Sequence, residues 1–414
     1  MTYTANEKRI LTLTCSAHFL THLYELTFPA IALSVRDDLG WTLGEVLRLS
    51  FLMYLLFGLG ALPMGVLTDR WRSRWVLGIC MFGAGLGCIL VAMATTRAQF
   101  VMALALVGVC ISAYHPAGMA LLSRAVRGRG RALGINGVFG NLGSATAPFI
   151  AGLLAYELGW RAAYTCLGFL GLAVGLATLL LHVDERSVAA APARVAPGGH
   201  SSSLVYFAIL CVAMMLAGFA YRGVSLMLPA TFRESTTFLS DLLARFSLTR
   251  VEGIQNLSAT LIASAVYAVG MFGQIAGGHL ADRYDLRKLY LIFHAASLPF
   301  IVGMAFLGEQ ALVVAAGTYI FFSLGMQPIE NSLVARFTPE RWRSTSYGVK
   351  FILNFGVGSL AVYAVTALHA GGDLRAVYGA LALVVLGVCI ATALLLYRSR
   401  GVSVVNEPAV EMIS

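Results

Sequence analysis

Apolar residues in this chain run rather than alternate. Stretches of about twenty, set off by clustered Arg, Lys, Asp and Glu, recur from residue 9 to residue 397. A helix rises about 1.5 Å per residue, so about twenty residues cross the roughly 30 Å of a bilayer's hydrocarbon. The pattern predicts twelve membrane-spanning helices, at residues 9–34, 45–68, 75–95, 99–122, 131–155, 162–182, 204–230, 256–281, 289–307, 311–335, 345–368 and 374–397. A membrane barrel would instead show alternating segments of about ten residues. Composition agrees. The 414 residues are 58% hydrophobic and 12% charged, against about 25% charged in a soluble domain. That leaves too little polar surface for a water-soluble enzyme. The expected fold is an all-α polytopic membrane protein.

Charge orients the chain. If the N-terminus is cytoplasmic, 19 of the 29 Lys and Arg residues fall in inside segments and 8 in outside segments. The positive-inside rule then puts both termini in the cytoplasm and the protein in a plasma membrane, expected to be a bacterial inner membrane. The net charge of +9 reflects this topology. No basic face interleaved with exposed aromatics points to nucleic acid. Lys8 and Arg9 precede an apolar run too long for a signal peptide, broken by His18, His22 and Glu25. The seven cysteines lie in apolar stretches without a C-x-x-C pair and read as small buried hydrophobes. Residues 183–203, rich in Ala, Pro, Gly and Ser, read as a cytoplasmic linker between six spans (1–182) and six spans (204–400), with a tail at 401–414. A short amphipathic helix is expected near Phe238.

The two parts repeat. Gly65-Val-Leu-Thr-Asp69-Arg70 recurs as Gly278-His-Leu-Ala-Asp282-Arg283, and Pro116 and Arg124 recur as Pro328 and Arg336. Two parallel six-helix bundles about an axis along the membrane normal are expected. The doubled G-x-L-x-D-R loop resembles the signature loop of the major facilitator superfamily, with Arg72 and Ser73 where that family usually has Gly and Arg. The Gly is expected to allow close helix approach, and the Asp to bond a neighbouring helix N-terminus and gate the conformational change. Gly143, Pro148 and Gly152 lie in a segment similar to the family's antiporter motif, with Ala147 and Ala151 at two of its glycine positions. This resemblance implies export. Tyr114-His115-Pro116-Ala117, with Gly140-Asn141 downstream, resembles the branch containing fosmidomycin-resistance-type exporters.

Charged groups at membrane depth are costly and mark function. His18, His22 and Glu25 are spaced four and three apart, which at about 100° per residue puts them on one helical face. They are the candidate proton-coupling site; the same face offers metal ligands, or histidines bonded in helix packing. Arg222 sits at a depth similar to that of Glu25 and is expected to pair with it or bind an anion. Glu330 is expected to pair with Lys350, beside Gln327 and Asn331, with Tyr114, His115 and Asn354 completing a solute-binding lining. No G-x-x-x-x-G-K-[ST] loop is present to use a nucleotide.

The leading expectation is a proton-coupled secondary transporter exporting a small organic solute by alternating access. It is expected to be a monomer in a lipid bilayer, without cofactor, resident metal or enzymatic activity. The alternatives are uptake or uniport of a small anion, transport of a metal or metal chelate through His18, His22 and Glu25, and a non-transporting membrane receptor.

Overall fold

In the computed structural model, residues 3–127, 129–185, 202–245, 253–338 and 342–400 are described. Most of the expected linker and the whole tail lie outside them. The described residues are helical, with no strand among them. In chain order the helices are α1 (Ala5–Leu39), α2 (Leu43–Arg48), α3 (Phe51–Arg70), α4 (Ser73–Met93), α5 (Arg97–Ile111), α6 (Tyr114–Ala125), α7 (Arg129–Leu158) and α8 (Trp160–Leu180). Beyond the linker follow α9 (Ser202–Ser235), α10 (Phe238–Arg245), α11 (Ile254–Ala281), α12 (Leu286–Gly303), α13 (Glu309–Phe337), α14 (Arg343–Phe351), α15 (Ala361–Leu368) and α16 (Leu374–Arg398). The short helix expected near Phe238 is α10.

Among the described residues, eleven helical segments are long and apolar enough to cross a membrane. The first expected span is not one of them. Its helix α1 has ample length at 35 residues, but it carries the polar group His18, His22 and Glu25. The eleventh segment is helical but irregular. Between α14 and α15 the backbone makes a π turn at Ile352–Gly356 and a 3-10 turn at Val357–Leu360.

Helix ends follow local chemistry. Thr4 and Glu7 close a reciprocal capping box at the start of α1, as do Thr42 with Glu45 and Thr96 with Gln99. Gly159, at φ 85°, is the one residue between α7 and α8, a backbone conformation open mainly to glycine.

Packing puts α1 at the centre, against α6, α7, α8 and α9. Helix α11 lies on α13, α7 and α9, while α4 packs on α8 and α5. Outward faces present Met102, Phe272, Ile275 and Leu383, the apolar surface that lipid requires. Cys166 also lies on the exterior, while Cys15, Cys80, Cys88 and Cys110 are buried and Cys211 and Cys389 half-buried; all seven are free thiols. The expectation that every cysteine is buried fails at Cys166, because an apolar span has a lipid face as well as a packed one.

Glycines set the closest approaches. A Cβ at Gly58 would strike the Gly356 backbone, one at Gly277 the Gly325 carbonyl, and one at Gly143 the Phe19 carbonyl. By contrast, Gly65 and Gly278 meet only Pro116 and Pro328 at ordinary contact distance, 3.7 and 3.9 Å. The expectation that the loop glycines permit the tight approach is corrected: the crowded crossings lie deeper in the helices.

The two ends are tied differently. Where α1 finishes, contacts cross between the parts before and after the linker. Asn256 Nδ2 donates to Asp37 Oδ2 at 2.9 Å, Arg233 approaches Asp37 at 3.8 Å, and Arg48 Nε donates to Thr366 Oγ1 at 3.1 Å. Where α1 begins, Arg124 and Arg287 bind partners on their own side of the linker. Arg124 donates to Ser73, and Arg287 pairs with Asp285 and with Ser399.

Glu7 is more enclosed than any of the charged residues just named. It is 3% exposed and accepts from the Thr4 amide at 2.8 Å and from the Arg127 amide and Nε at 2.8 and 3.1 Å. Those donors hold its carboxyl down at about 2 from an ordinary 4.5. A depressed carboxyl stabilises the fold above its unfolded value and loses that contribution as pH falls through the folded one. Thermal melting of the purified protein should therefore show a loss of stability between pH 4.5 and 2 that Glu7→Gln flattens. Glu7→Gln should also lower the melting temperature at pH 7. An unchanged acid limb would show that Glu7 contributes nothing.

Candidate functional site

Helix α1 sorts its polar residues by how they are satisfied. Thr14, Thr21 and Thr27 donate to the carbonyls of Ile10, Ala17 and Leu23, four residues back. They need nothing from other helices. His18, His22 and Glu25 do, and each finds a partner on or near that face.

Glu25 is 2% exposed and Arg222 1%. Arg222 Nη2 donates to Glu25 Oε1 at 2.6 Å, joining α1 to α9. His22 Nδ1 donates to Glu25 Oε2 at 2.8 Å. Tyr54 of α3 completes the arrangement: its hydroxyl donates to the Glu25 carbonyl at 3.0 Å, and its ring lies under the Arg222 guanidinium at 3.8 Å. Cation–π contact of this kind favours arginine. Two donors of Arg222, Nε and Nη1, are buried without a hydrogen-bond partner.

A cluster of imidazoles adjoins the pair. Asn136 of α7 organises it: its carbonyl takes His18 Nδ1 at 2.9 Å, and its side-chain oxygen accepts from Tyr114 OH at 2.7 Å. Tyr114 stacks on His18 at 4.4 Å. His115, the next residue on α6, lies 5.5 Å from His18 and 5.6 Å from His22, ring centre to ring centre. Phe351 stacks on the His115 ring at 4.7 Å. Phe355 continues the aromatic wall, 4.6 Å from Phe57 and 5.9 Å from Arg222.

The second expected ion pair also forms. Lys350 Nζ lies 2.8 Å from Glu330 Oε1 and donates to Asn331 Oδ1 at 2.5 Å. Tyr290 OH donates to Glu330 Oε2 at 2.6 Å, and Asn354 Nδ2 to Oε1 at 3.3 Å. Gln327 stands apart: it accepts from Gln274 at 3.3 Å, and Gln274 in turn accepts from Asn141 of α7. Asn354 and Phe355, adjacent in the π turn, face different groups, as successive helical residues do. Gly218 abuts the Asn354 backbone and Gly58 that of Gly356, so α9 and α3 grip the turn from two sides.

The signature-loop residues lie away from this centre. Asp69, Arg70, Asp282 and Arg283 are exposed. Among the described residues, the bond expected from Asp69 to a neighbouring helix N-terminus is not made. Glu185, just past α8, accepts from the Ser73 and Arg74 amides at 3.0 and 3.2 Å and occupies that place on α4. The antiporter-type residues line helix crossings. Gly143 faces the Phe19 backbone of α1, Gly152 faces Thr260 of α11, and Pro148 lies inside α7 between them.

Tyr54, Phe57, Phe351, Phe355, Tyr290 and Gln274 were not expected in the site. An aromatic in an apolar run carries no mark of which way it faces. The available signals were the polar tips of Tyr54 and Tyr290 and the amide of Gln274 within an apolar run.

The model of the Major Facilitator Superfamily matches residues 13–362 and 210–412. A 4-hydroxybenzoate transporter, PcaK, of Pseudomonas aeruginosa is 28% identical, over 94% of this chain and 92% of its own. A probable L-galactonate transporter of Escherichia coli is 27% identical, over 42% of this chain and 38% of its own length. The fosmidomycin resistance protein of Escherichia coli is 28% identical over 34% of this chain, so that resemblance is partial. Among solved structures, a bacterial homologue of the human lysosomal transporter Spinster superposes with a TM-score of 0.69 at 14% identity, covering 96% of this chain and 97% of that one.

Breaking one partner of a buried ion pair strands the other charge, at about 3–5 kcal/mol. Glu330→Gln or Lys350→Gln alone should therefore destabilise the protein by about that much in thermal or denaturant melts. The double substitution, which strands no charge, should cost clearly less than the sum of the two. Strict additivity would show that the pair is not coupled.

Proposed function

We propose that this chain, which belongs to the major facilitator superfamily and is a carrier of small organic solutes rather than an enzyme, takes small organic anions across the membrane together with protons. The observation that carries this reading is the two spare donors of Arg222: Nε and Nη1 are buried and unpartnered, on either side of the Nη2 that holds Glu25. Each spare donor shares a parallel N–H edge with Nη2, so an incoming carboxylate gains the two-point grip that suits it by competing with Glu25 for Nη2. The flanking wall of Phe57, Phe355 and Phe351 suits a flat apolar body. The name of the 4-hydroxybenzoate relative specifies a solute of that kind, which supports the assignment.

The coupling follows from competition. While the site is empty, Glu25 neutralises Arg222. A bound carboxylate takes over that role and leaves Glu25 as a buried acid with less cationic support, which favours its protonation. His22, at 2.8 Å, is placed to pass the proton. Anion and proton are then held together and move together. Electroneutral one-to-one symport lets each pH unit of gradient support about tenfold accumulation.

The wider frame is part of the reading. Helix α1 is the twelfth span, because its polar face is satisfied inside the protein. Residues 1–182 and 204–400 are two six-helix bundles in a bacterial plasma membrane, working as a monomer with both termini in the cytoplasm. The ties of Asp37, Arg48 and Thr366 then close the outer end. Asp69 and Asp282 act on the switch between states. A second reading, export by antiport, is favoured by Gly143, Pro148 and Gly152 at the crossings of α7 with α1 and α11. It requires proton and solute to bind alternately.

Proteoliposomes separate these readings. With an alkaline interior, a labelled hydroxyaryl carboxylate should accumulate in response to the pH gradient and not to membrane potential. Expulsion under the same gradient supports antiport; absence of any solute-dependent flux supports a receptor. Glu25→Gln should abolish accumulation yet keep counterflow, and Arg222→Lys should weaken solute affinity at least about tenfold, since lysine lacks the fork. Normal uphill uptake by Glu25→Gln would remove the coupling assignment.

The signature-loop residues make a separate prediction. Asp69→Asn should slow transport and alter labelling of a cysteine placed at the cytoplasmic mouth, with solute affinity nearly unchanged and with a larger effect than Asp282→Asn. Lost affinity with unaltered labelling would place Asp69 in the binding site.

A further inference from the structure

We propose that His18, His22 and His115 form a binding site for a divalent transition-metal ion of the zinc class. The first ground is position. One ring nitrogen from each residue lies within 4.8 Å of one from each of the others. Nitrogens sharing a tetrahedral zinc at about 2.0–2.1 Å stand about 3.3–3.4 Å apart. Small ring movements close that difference, well within a change of rotamer.

The second ground is protonation. A backbone carbonyl only accepts, so His18 Nδ1, 2.9 Å from the Asn136 carbonyl, carries the hydrogen. His22 Nδ1 faces the Glu25 carboxylate at 2.8 Å and carries one for the same reason. In the neutral rings both Nε2 atoms are bare electron pairs. His115 Nε2 is buried with no hydrogen-bond partner. Metal-bound histidines show this pattern: one nitrogen is free for the metal, and the other is held by a carbonyl or carboxylate that fixes the ring. Stacking on Tyr114 and Phe351 further fixes His18 and His115.

A purely packing role accounts for the bonds to Asn136 and Glu25 but leaves the His115 nitrogen unexplained. The ligand set narrows the ion. Imidazole suits zinc, copper, nickel and cobalt, whereas calcium and magnesium want oxygen. Three ligands leave a fourth position for water or an anion. With the metal in place, His22 Nδ1–H stays pointed at Glu25, so metal occupancy holds Glu25 in its present hydrogen bonds.

Binding is measured without transport, so its failure leaves the carrier reading standing. The full-length protein, with any affinity tag removed, is titrated in detergent with Co²⁺ by visible absorption and with Zn²⁺ by competition. One equivalent with tetrahedral cobalt bands, displaced by Zn²⁺, is expected. His115→Gln and His18→Gln should each weaken binding at least tenfold, while Cys166→Ser leaves it unchanged. A wild-type circular-dichroism spectrum and a cooperative thermal melt of the His115→Gln protein show that it is folded. Where that variant does not fold, loss of the cobalt bands on modifying the wild-type imidazoles with diethyl pyrocarbonate, prevented by Zn²⁺ present during the modification and chelated away before the cobalt titration, supports the site. Binding that survives both histidine substitutions, depends on Cys166, or never becomes stoichiometric overturns it.

Discussion

A carboxylate and a guanidinium cannot stay charged in hydrocarbon unless they meet. Glu25 and Arg222 are both almost fully buried and 2.6 Å apart, and much of the architecture follows from keeping them so. Their contact fixes α1 against α9 across the linker. Tyr54 lies under the guanidinium and reaches the Glu25 carbonyl, which fixes α3 as well. His22 takes the remaining carboxylate oxygen and draws in the imidazole cluster with Asn136 of α7. A buried pair of this kind adds little net stability, since desolvation offsets most of the attraction. What it supplies is register: a shift of α9 by one residue would turn Arg222 about 100° away and strand both charges.

Part of this arrangement is legible in the sequence alone. Spans were legible because hydrocarbon thickness imposes a length and forbids unpaired charge. The ion pairs Glu25–Arg222 and Glu330–Lys350 were legible because so few charges lie at depth that each has few candidate partners. The aromatic lining was not. Phe57 and Phe355 form the wall beside Arg222, while Phe272 faces outward, and nothing in their apolar context distinguishes them. Helix α1 shows the converse limit. Its polar face lowers the apparent apolarity of a segment that the structure places at the centre of the packing.

Two misplacements have local causes. The signature loop supplied an aspartate at the right place to bond α4, but Glu185 from beyond α8 reaches the same amides. Two acids competing for one helix N-terminus cannot be ranked from sequence separation alone. The glycines of that loop meet proline rings at ordinary distance, whereas Gly58, Gly143 and Gly277 meet backbone. Small residues mark where helices are able to approach; which of them do is decided by the crossing points.

The eleventh span joins these observations. Regular α-helix from Arg343 would keep Lys350, Asn354 and Phe355 on a simple 3.6-residue repeat. The π turn at Ile352–Gly356 interrupts that repeat; Asn354 still shares Glu330 with Lys350, while Phe355 lies against Phe57 and near Arg222. One short segment thus touches both buried ion pairs. Its backbone is gripped through Gly58 of α3 and Gly218 of α9, where no side chain stands between the helices. A change of charge at Arg222 alters what Phe355 packs against, and any unwinding or tightening of the turn carries Asn354 with it. The two buried pairs are therefore joined through Asn354 and Phe355 on one irregular stretch of backbone, the π turn and the 3-10 turn that follows it.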